Sequence, residues 1–235
     1  MSIGSLYLSL CAIFISLFFP SITNATLKNN WSPYVNLEGG MGAQNVNNVI
    51  FENPRQPQLI QNSNHSAIHL GSCALGTYFS SIPLHIEVRA TFNSQSNFNR
   101  EYFFPSFFSV VGVQKIKIQS NYLMARGYYS LPLEIITPYI SLGAGTSWNK
   151  TTATQYAPQL PGWIYNFKGT TQSGFVWSAG IGLSKPIHDN WVLNVGYNYV
   201  ALGTFDTGVL PKTGDEHLFG KIQSNELVFG FTYFI

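Results

Sequence analysis

Charge is what this sequence has least of. Only 9% of its 235 residues are Asp, Glu, Lys or Arg, against roughly 25% in a soluble domain. The 12 basic and 10 acidic side chains leave a net charge of +2, and the Lys and Arg residues are scattered singly. A nucleic-acid binder needs basic clusters, so that class is excluded. A disordered chain needs charge and few aromatics, so it is excluded too. Cysteine is nearly absent: Cys11 and Cys73 are too few for a disulfide scaffold or a Cys-rich zinc site. The five histidines show no HExxH spacing, so no metal or other cofactor is expected. Long apolar runs are also lacking, and a mean hydropathy of +0.07 cannot supply several membrane helices of about 20 residues.

Aromatics and glycine are what the chain has in quantity: 18 Phe, 13 Tyr, 5 Trp and 21 Gly. The one sustained apolar run covers residues 6–19 and ends at Pro20. Its length is that of a secretory core, short for a bilayer span. Thr23-Asn24-Ala25 places small residues where a signal peptidase reads them. Residues 1–25 are therefore predicted to be a cleaved signal peptide and 26–235 the exported domain. Removal of Cys11 is expected to leave Cys73 as the one cysteine of the exported domain.

Beyond residue 30 the pattern has period two, the mark of strands. Leu227, Phe229, Phe231, Tyr233 and Ile235 alternate with Glu226, Val228, Gly230, Thr232 and Phe234. Trp191, Leu193, Val195, Tyr197 and Tyr199 alternate with Val192, Asn194, Gly196, Asn198 and Val200. One face is bulky and apolar; the other is small and weakly polar. A soluble sandwich would put Lys and Glu on its second face. A lipocalin-like barrel would be apolar inside and charged outside, the reverse arrangement. The pattern fits an all-β, antiparallel, up-and-down transmembrane β-barrel, apolar toward lipid and polar within. Eight strands are predicted: 33–43, 67–79, 84–93, 114–130, 136–148, 173–184, 190–203 and 222–235. The faces of 67–79 do not separate. Three connections are short and four, 44–66, 94–113, 149–172 and 204–221, are long. Short periplasmic turns opposite long extracellular loops are the asymmetry of outer-membrane barrels.

Over about 200 residues this pattern resembles the eight-stranded outer-membrane barrels of Gram-negative bacteria. These include the OmpA transmembrane domain, OmpX, OmpW and the opacity-type proteins. Gly230, Tyr233 and Ile235 resemble the C-terminal signal read by the barrel assembly machinery. The terminal residue is Ile235 where that family prefers Phe. The resemblance implies residence in the outer membrane, with lipids and the assembly machinery as partners.

Five charged residues fall on the predicted inner face: Glu38, Glu87, Arg89, Arg126 and Glu226. In a low dielectric they are expected to pair and to plug a lumen that eight strands barely leave open. No catalytic residue is assigned. His65-Ser66 lies at a loop end, but no carboxylate stands near to orient a triad. Phe98, Tyr102, Phe103, Phe104, Phe107 and Phe108 crowd the second long loop, and Tyr156, Trp163, Tyr165 and Phe167 the third. Self-packing is the leading reading of these; a surface for a host ligand is the second. The expected function is a non-enzymatic surface protein for envelope structure and adhesion. An OmpW-like conduit for small apolar molecules and an outer-membrane lipid-modifying enzyme are the alternatives.

Overall fold

The computed structural model describes residues 31–52, 58–62, 64–104, 110–131, 133, 135–160, 162–211 and 217–235. The predicted signal peptide, Cys11, Phe107 and Phe108 lie outside these residues. The strands are β1 (Trp31–Glu52), β2 (Gln58–Asn62), β3 (His65–Phe79), β4 (Leu84–Asn93), β5 (Ser96–Phe104) and β6 (Val110–Ser130). They continue as β7 (Thr137–Tyr156), β8 (Ile164–Asn166), β9 (Thr170–His188), β10 (Trp191–Asp206) and β11 (His217–Phe234). No helix occurs among the described residues.

Eight of these strands close a ring in the order β1-β3-β4-β6-β7-β9-β10-β11, with β1 paired to β11 and β6 to β7. Every pairing is antiparallel. The ring is the predicted barrel, and closure leaves no free edge through the hydrocarbon, where an unpaired backbone group has no water to turn to. The short connections are tied to the ends of neighbouring strands by backbone bonds, such as Ser130 N of β6 to Pro83 O at 2.8 Å and Phe234 N of β11 to Asn190 O at 2.9 Å.

The strands are longer than the period-two pattern suggested. β6 has 21 residues and β7 has 20, where spanning needs about 9–11. At about 3.4 Å per residue and a tilt near 40°, 21 residues rise about 50 Å, twice the apolar band of such a barrel. The flanks of the predicted long loops are therefore strand. β5 takes over from β4 along the upper part of β6 and is itself paired with β2, and β8 folds back on β7.

Face chemistry changes along the long strands at the point where they leave the membrane, as β11 and β6 show. On lower β11, Glu226 and Thr232 point inward while Leu227, Phe229 and Phe231 face out. On upper β11, Leu218 and Ile222 are buried inside while Lys221 is exposed outside. β6 repeats this, with Arg126 and Tyr128 inside below, and Ile116 and Ile118 inside above with Lys115 and Lys117 outside. The lower half is polar within and apolar without, as lipid requires. The upper half has an apolar core of Val46, Phe98, Ile116, Ile118, Phe167, Leu202, Phe205, Leu218 and Ile222, built as in a water-soluble barrel.

Candidate functional site

Alternation along β4 points His85, Glu87, Arg89, Thr91 and Asn93 into the lumen, and β1 adds Tyr34, Asn36 and Glu38. Arg89 is the hub. Its Nε donates to Glu87 Oε1 at 2.6 Å, and its two terminal nitrogens fork onto both oxygens of Glu38, one of them at 2.8 Å. The same nitrogens reach Ser72 Oγ at 3.2 Å and the Tyr128 hydroxyl at 2.8 Å. The remaining carboxylate positions are filled by neutral donors. Asn36 Nδ2 donates to Glu38 Oε1 at 3.0 Å. Tyr128 and Tyr34 donate to the two oxygens of Glu87 at 2.6 and 3.2 Å. Bidentate, charge-assisted contacts of this kind offset the cost of desolvating the ions.

Arg126 and Glu226 are arranged differently from the carboxylate–guanidinium pairing expected of all five. Arg126 donates to Ser141 Oγ at 2.8 Å and to Asn198 Oδ1, and lies over the Tyr128 ring at 4.7 Å. Its direct partners are neutral. Glu226 accepts the Tyr122 hydroxyl at 2.9 Å, one layer above the Arg89 hub. The charges are thus spread over two layers, and four of them, two acids and two bases, cancel in the lower one. These polar partners, Tyr34, Tyr122, Tyr128, Ser141 and Asn198, were missed in the sequence. Their inward parity was visible, but which strands face across the lumen was not.

Small residues make the room. Glu38 and Gly230 are direct partners across β1 and β11, and a Cβ at Gly230 would collide with Glu38 Cγ and lie 2.7 Å from Leu37 O. Gly230, proposed as part of the assembly signal, thus has a steric task in the lumen as well. Tyr233 points outward, 4.9 Å from the Trp191 ring, and Ile235 is exposed at the same end.

Below the hub a cavity of about 200 Å³ lies at the short-turn end, lined by Tyr34, Tyr78, His85, Tyr128, Tyr139 and Phe234 among others. Above the Glu226 layer the apolar core fills the lumen. Phe98, Tyr102 and Phe167 point into the buried interior, so these loop aromatics are self-packed. Phe103 and Phe104 lie in β5, and Trp163 and Tyr165 meet edge to face with ring centroids 5.0 Å apart. Ser66 Oγ accepts from the Asn97 amide at 2.9 Å, a structural contact within the β3–β5 corner.

A family model described as the outer membrane protein beta-barrel domain matches residues 12–233. Outer membrane protein PagN of Salmonella typhimurium strain LT2 is 27% identical over 158 residues, which make up 65% of this chain and 65% of PagN, just under two thirds of each. Among solved structures, neisserial surface protein A is similar with a TM-score of 0.46 and 17% identity, over 87% of this chain and 99% of that one. Outer membrane protein OprG of Pseudomonas aeruginosa is similar with a TM-score of 0.49 and 10% identity, over 87% of this chain and 98% of that one.

Proposed function

The chain belongs to the outer membrane protein beta-barrel domain family, and from that premise we propose that it is a closed, non-enzymatic surface protein. Its task is to hold a rigid β-structured platform above the outer membrane for envelope integrity and adhesion. The observation that carries this reading is the double closure of the lumen. The Arg89–Glu38–Glu87 hub blocks the lower half, and the apolar core around Phe98, Phe205 and Ile116 fills the upper half. A conduit along the lumen would have to cross both, and one that left sideways through the barrel wall would still have to cross the upper core. What the upper half offers instead is elevation. The β7–β8 ribbon carries Leu160 and Ile164, both exposed, at its tip, and exposed apolar groups on a rigid support suit contact with a partner. A host or other surface ligand would bind there. Insertion by the barrel assembly machinery through Gly230, Tyr233 and Ile235 belongs to the same reading.

The test pairs two measurements. Planar-bilayer recording of the purified barrel should show no steady conductance. Bacteria displaying the parent should bind cultured host cells better than bacteria displaying Leu160→Ser with Ile164→Ser. Steady channels would refute the closed lumen. Equal binding by parent and variant would remove the ribbon tip from the function.

A further inference from the structure

We propose that Lys115, Lys117 and Lys150 form a binding site for the phosphate groups of an outer-leaflet lipid. In the sequence these lysines are separate; the sheet collects them. Lys115 and Lys117 project outward from β6 two residues apart, and Lys150 projects outward from β7. Gln119 is the direct partner of Lys150, and Thr152 of Lys117. Lys117 and Lys150 are therefore diagonal neighbours, about 7–8 Å apart at their backbones. Their long stems bring both ammonium groups within reach of one phosphate.

The surroundings are those of an anion site. Asn97 is the partner of Lys117 on β5, Asn99 of Lys115, and Thr171 of Lys150 on β9. All are exposed amides or hydroxyls that can donate to phosphate oxygens. Among the described residues the ion pairs are those of Arg89 in the lumen. The direct cross-strand partners of Lys117 and Lys150 are all neutral; Glu101 of β5 stands diagonal to Lys115 and forms no ion pair with it, and like charges at this spacing repel unless an anion joins them.

Depth identifies the anion. Trp148 lies on the same face of β7, two residues below Lys150, and is exposed. Phe175, on neighbouring β9, is exposed just below it. Exposed Trp marks the boundary between hydrocarbon and headgroups. Two residues along a strand are about 7 Å, which raises Lys150 from that boundary into the headgroup layer. Elsewhere around the ring, many outward positions above the apolar band are uncharged, such as Asn45 on β1, Thr171 on β9 and Gln223 on β11. The outward lysine of β11, Lys221, has no second lysine on its strand, whereas the β5–β7 side gathers three, and there they hold a lipid in one place and fix the barrel's neighbours in the leaflet.

The experiment uses the folded full-length barrel in phosphatidylcholine nanodiscs doped with bisphosphorylated lipid A. Lipid retained on release is read by native mass spectrometry. The triple variant K115Q/K117Q/K150Q should retain less than the parent, by about fivefold per lysine, and the parent should retain less monophosphorylated lipid A. Lys221→Gln, on distant β11, should match the parent. Heat-modifiable migration confirms that each variant is folded. Equal retention by the triple variant overturns the proposal. So does an equal loss in Lys221→Gln, which would make the effect one of general charge. A heparin oligosaccharide that binds through these lysines while lipid A retention ignores them would assign the patch to a soluble polyanion and overturn it as well.

Discussion

Replacing Arg89 with Met should destabilise the barrel more than the same replacement at Arg126, the other cation of the lower lumen. Met keeps most of the side-chain length and removes the charge. It leaves Glu38 and Glu87, both buried, without the guanidinium that now binds three of their four oxygens. Removing one partner of a buried ion pair costs about 3–5 kcal/mol. Two carboxylates depend on Arg89, which argues for the upper end. The donors Asn36, Tyr34 and Tyr128 remain and argue for less, so about 4 kcal/mol is expected. With a urea dependence of about 2 kcal/mol per molar, the unfolding midpoint of the barrel refolded in lipid vesicles should fall by about 2 M. Arg126→Met should cost less. It strands no directly bonded carboxylate, because the acceptors it leaves behind, Ser141 Oγ and Asn198 Oδ1, are neutral, and an unpaired neutral group is cheaper to bury than an unpaired charge. The triple change Arg89→Met, Glu38→Gln, Glu87→Gln should recover part of the loss. Arg89→Met unfolding at the parental midpoint would refute the hub. A triple variant weaker than Arg89→Met alone would show that its loss is one of packing and not of unpaired charge.

Three further outcomes follow from the geometry. Gly230→Val should block folding, because its side chain meets Glu38 Cγ and the Leu37 carbonyl; adding Glu38→Ala removes the first contact and keeps the second, so heat-modifiable migration should return in part, and no rescue would show that the Glu38 contact is not what blocks the variant. Phe205→Ala opens a void in the fully buried upper core and should cost about 3–5 kcal/mol. Proteolysis should then cut the upper strands while the lower barrel stays resistant, and uniform resistance would contradict a separate upper core. Removal of residues 231–235 should leave the chain in periplasmic aggregates, detected by fractionation, and normal insertion would dismiss the proposed signal.

The lower barrel was legible because two constraints act on it together. Lipid demands bulky apolar side chains outside, and a narrow lumen demands small or polar ones inside, so 190–203 and 222–235 showed their faces in the sequence. β3 did not, and the structure gives the reason. Ile68 and Leu70 point inward above the membrane, while Leu75 points outward within it. Each set of alternating positions is apolar over half its length, so neither face of the segment is uniform. The same change of chemistry made 149–156 look like loop. Thr152 and Thr154 face water, and Thr151 and Ala153 face the upper core, an amphipathic strand too mildly apolar to stand out. Lumen parity was readable for Glu38, Glu87, Arg89, Arg126 and Glu226, because each lies in a clear period-two run. Their partners were not, because Arg126 meets Asn198 across 72 positions of sequence and Tyr122 meets Glu226 across 104.

The change of solvent along a single strand can be tested at two outward positions of β11. Phe229 is 50% exposed within the apolar band. Gln223 lies six residues nearer the extracellular end on the same face, beside Lys221. Six residues are about 20 Å along the strand and about 15 Å in depth after tilt. That is enough to leave a hydrocarbon layer whose half-thickness is about 15 Å. A lysine near the midplane of a transmembrane barrel costs about 2–4 kcal/mol and almost nothing at the interface. Phe229→Lys should therefore lower stability by that amount in lipid vesicles, and Gln223→Lys should leave it unchanged. The inner face should respond in the opposite order. Ile222→Ser removes a buried apolar side chain from the upper core and should cost about 2–5 kcal/mol. Thr232→Ser, inside the polar lower lumen, keeps the hydroxyl that accepts Asn194 Nδ2 at 2.7 Å and should cost little. Equal penalties for Phe229→Lys and Gln223→Lys would mean that lipid reaches the upper strands, and the water-exposed upper barrel would have to be abandoned.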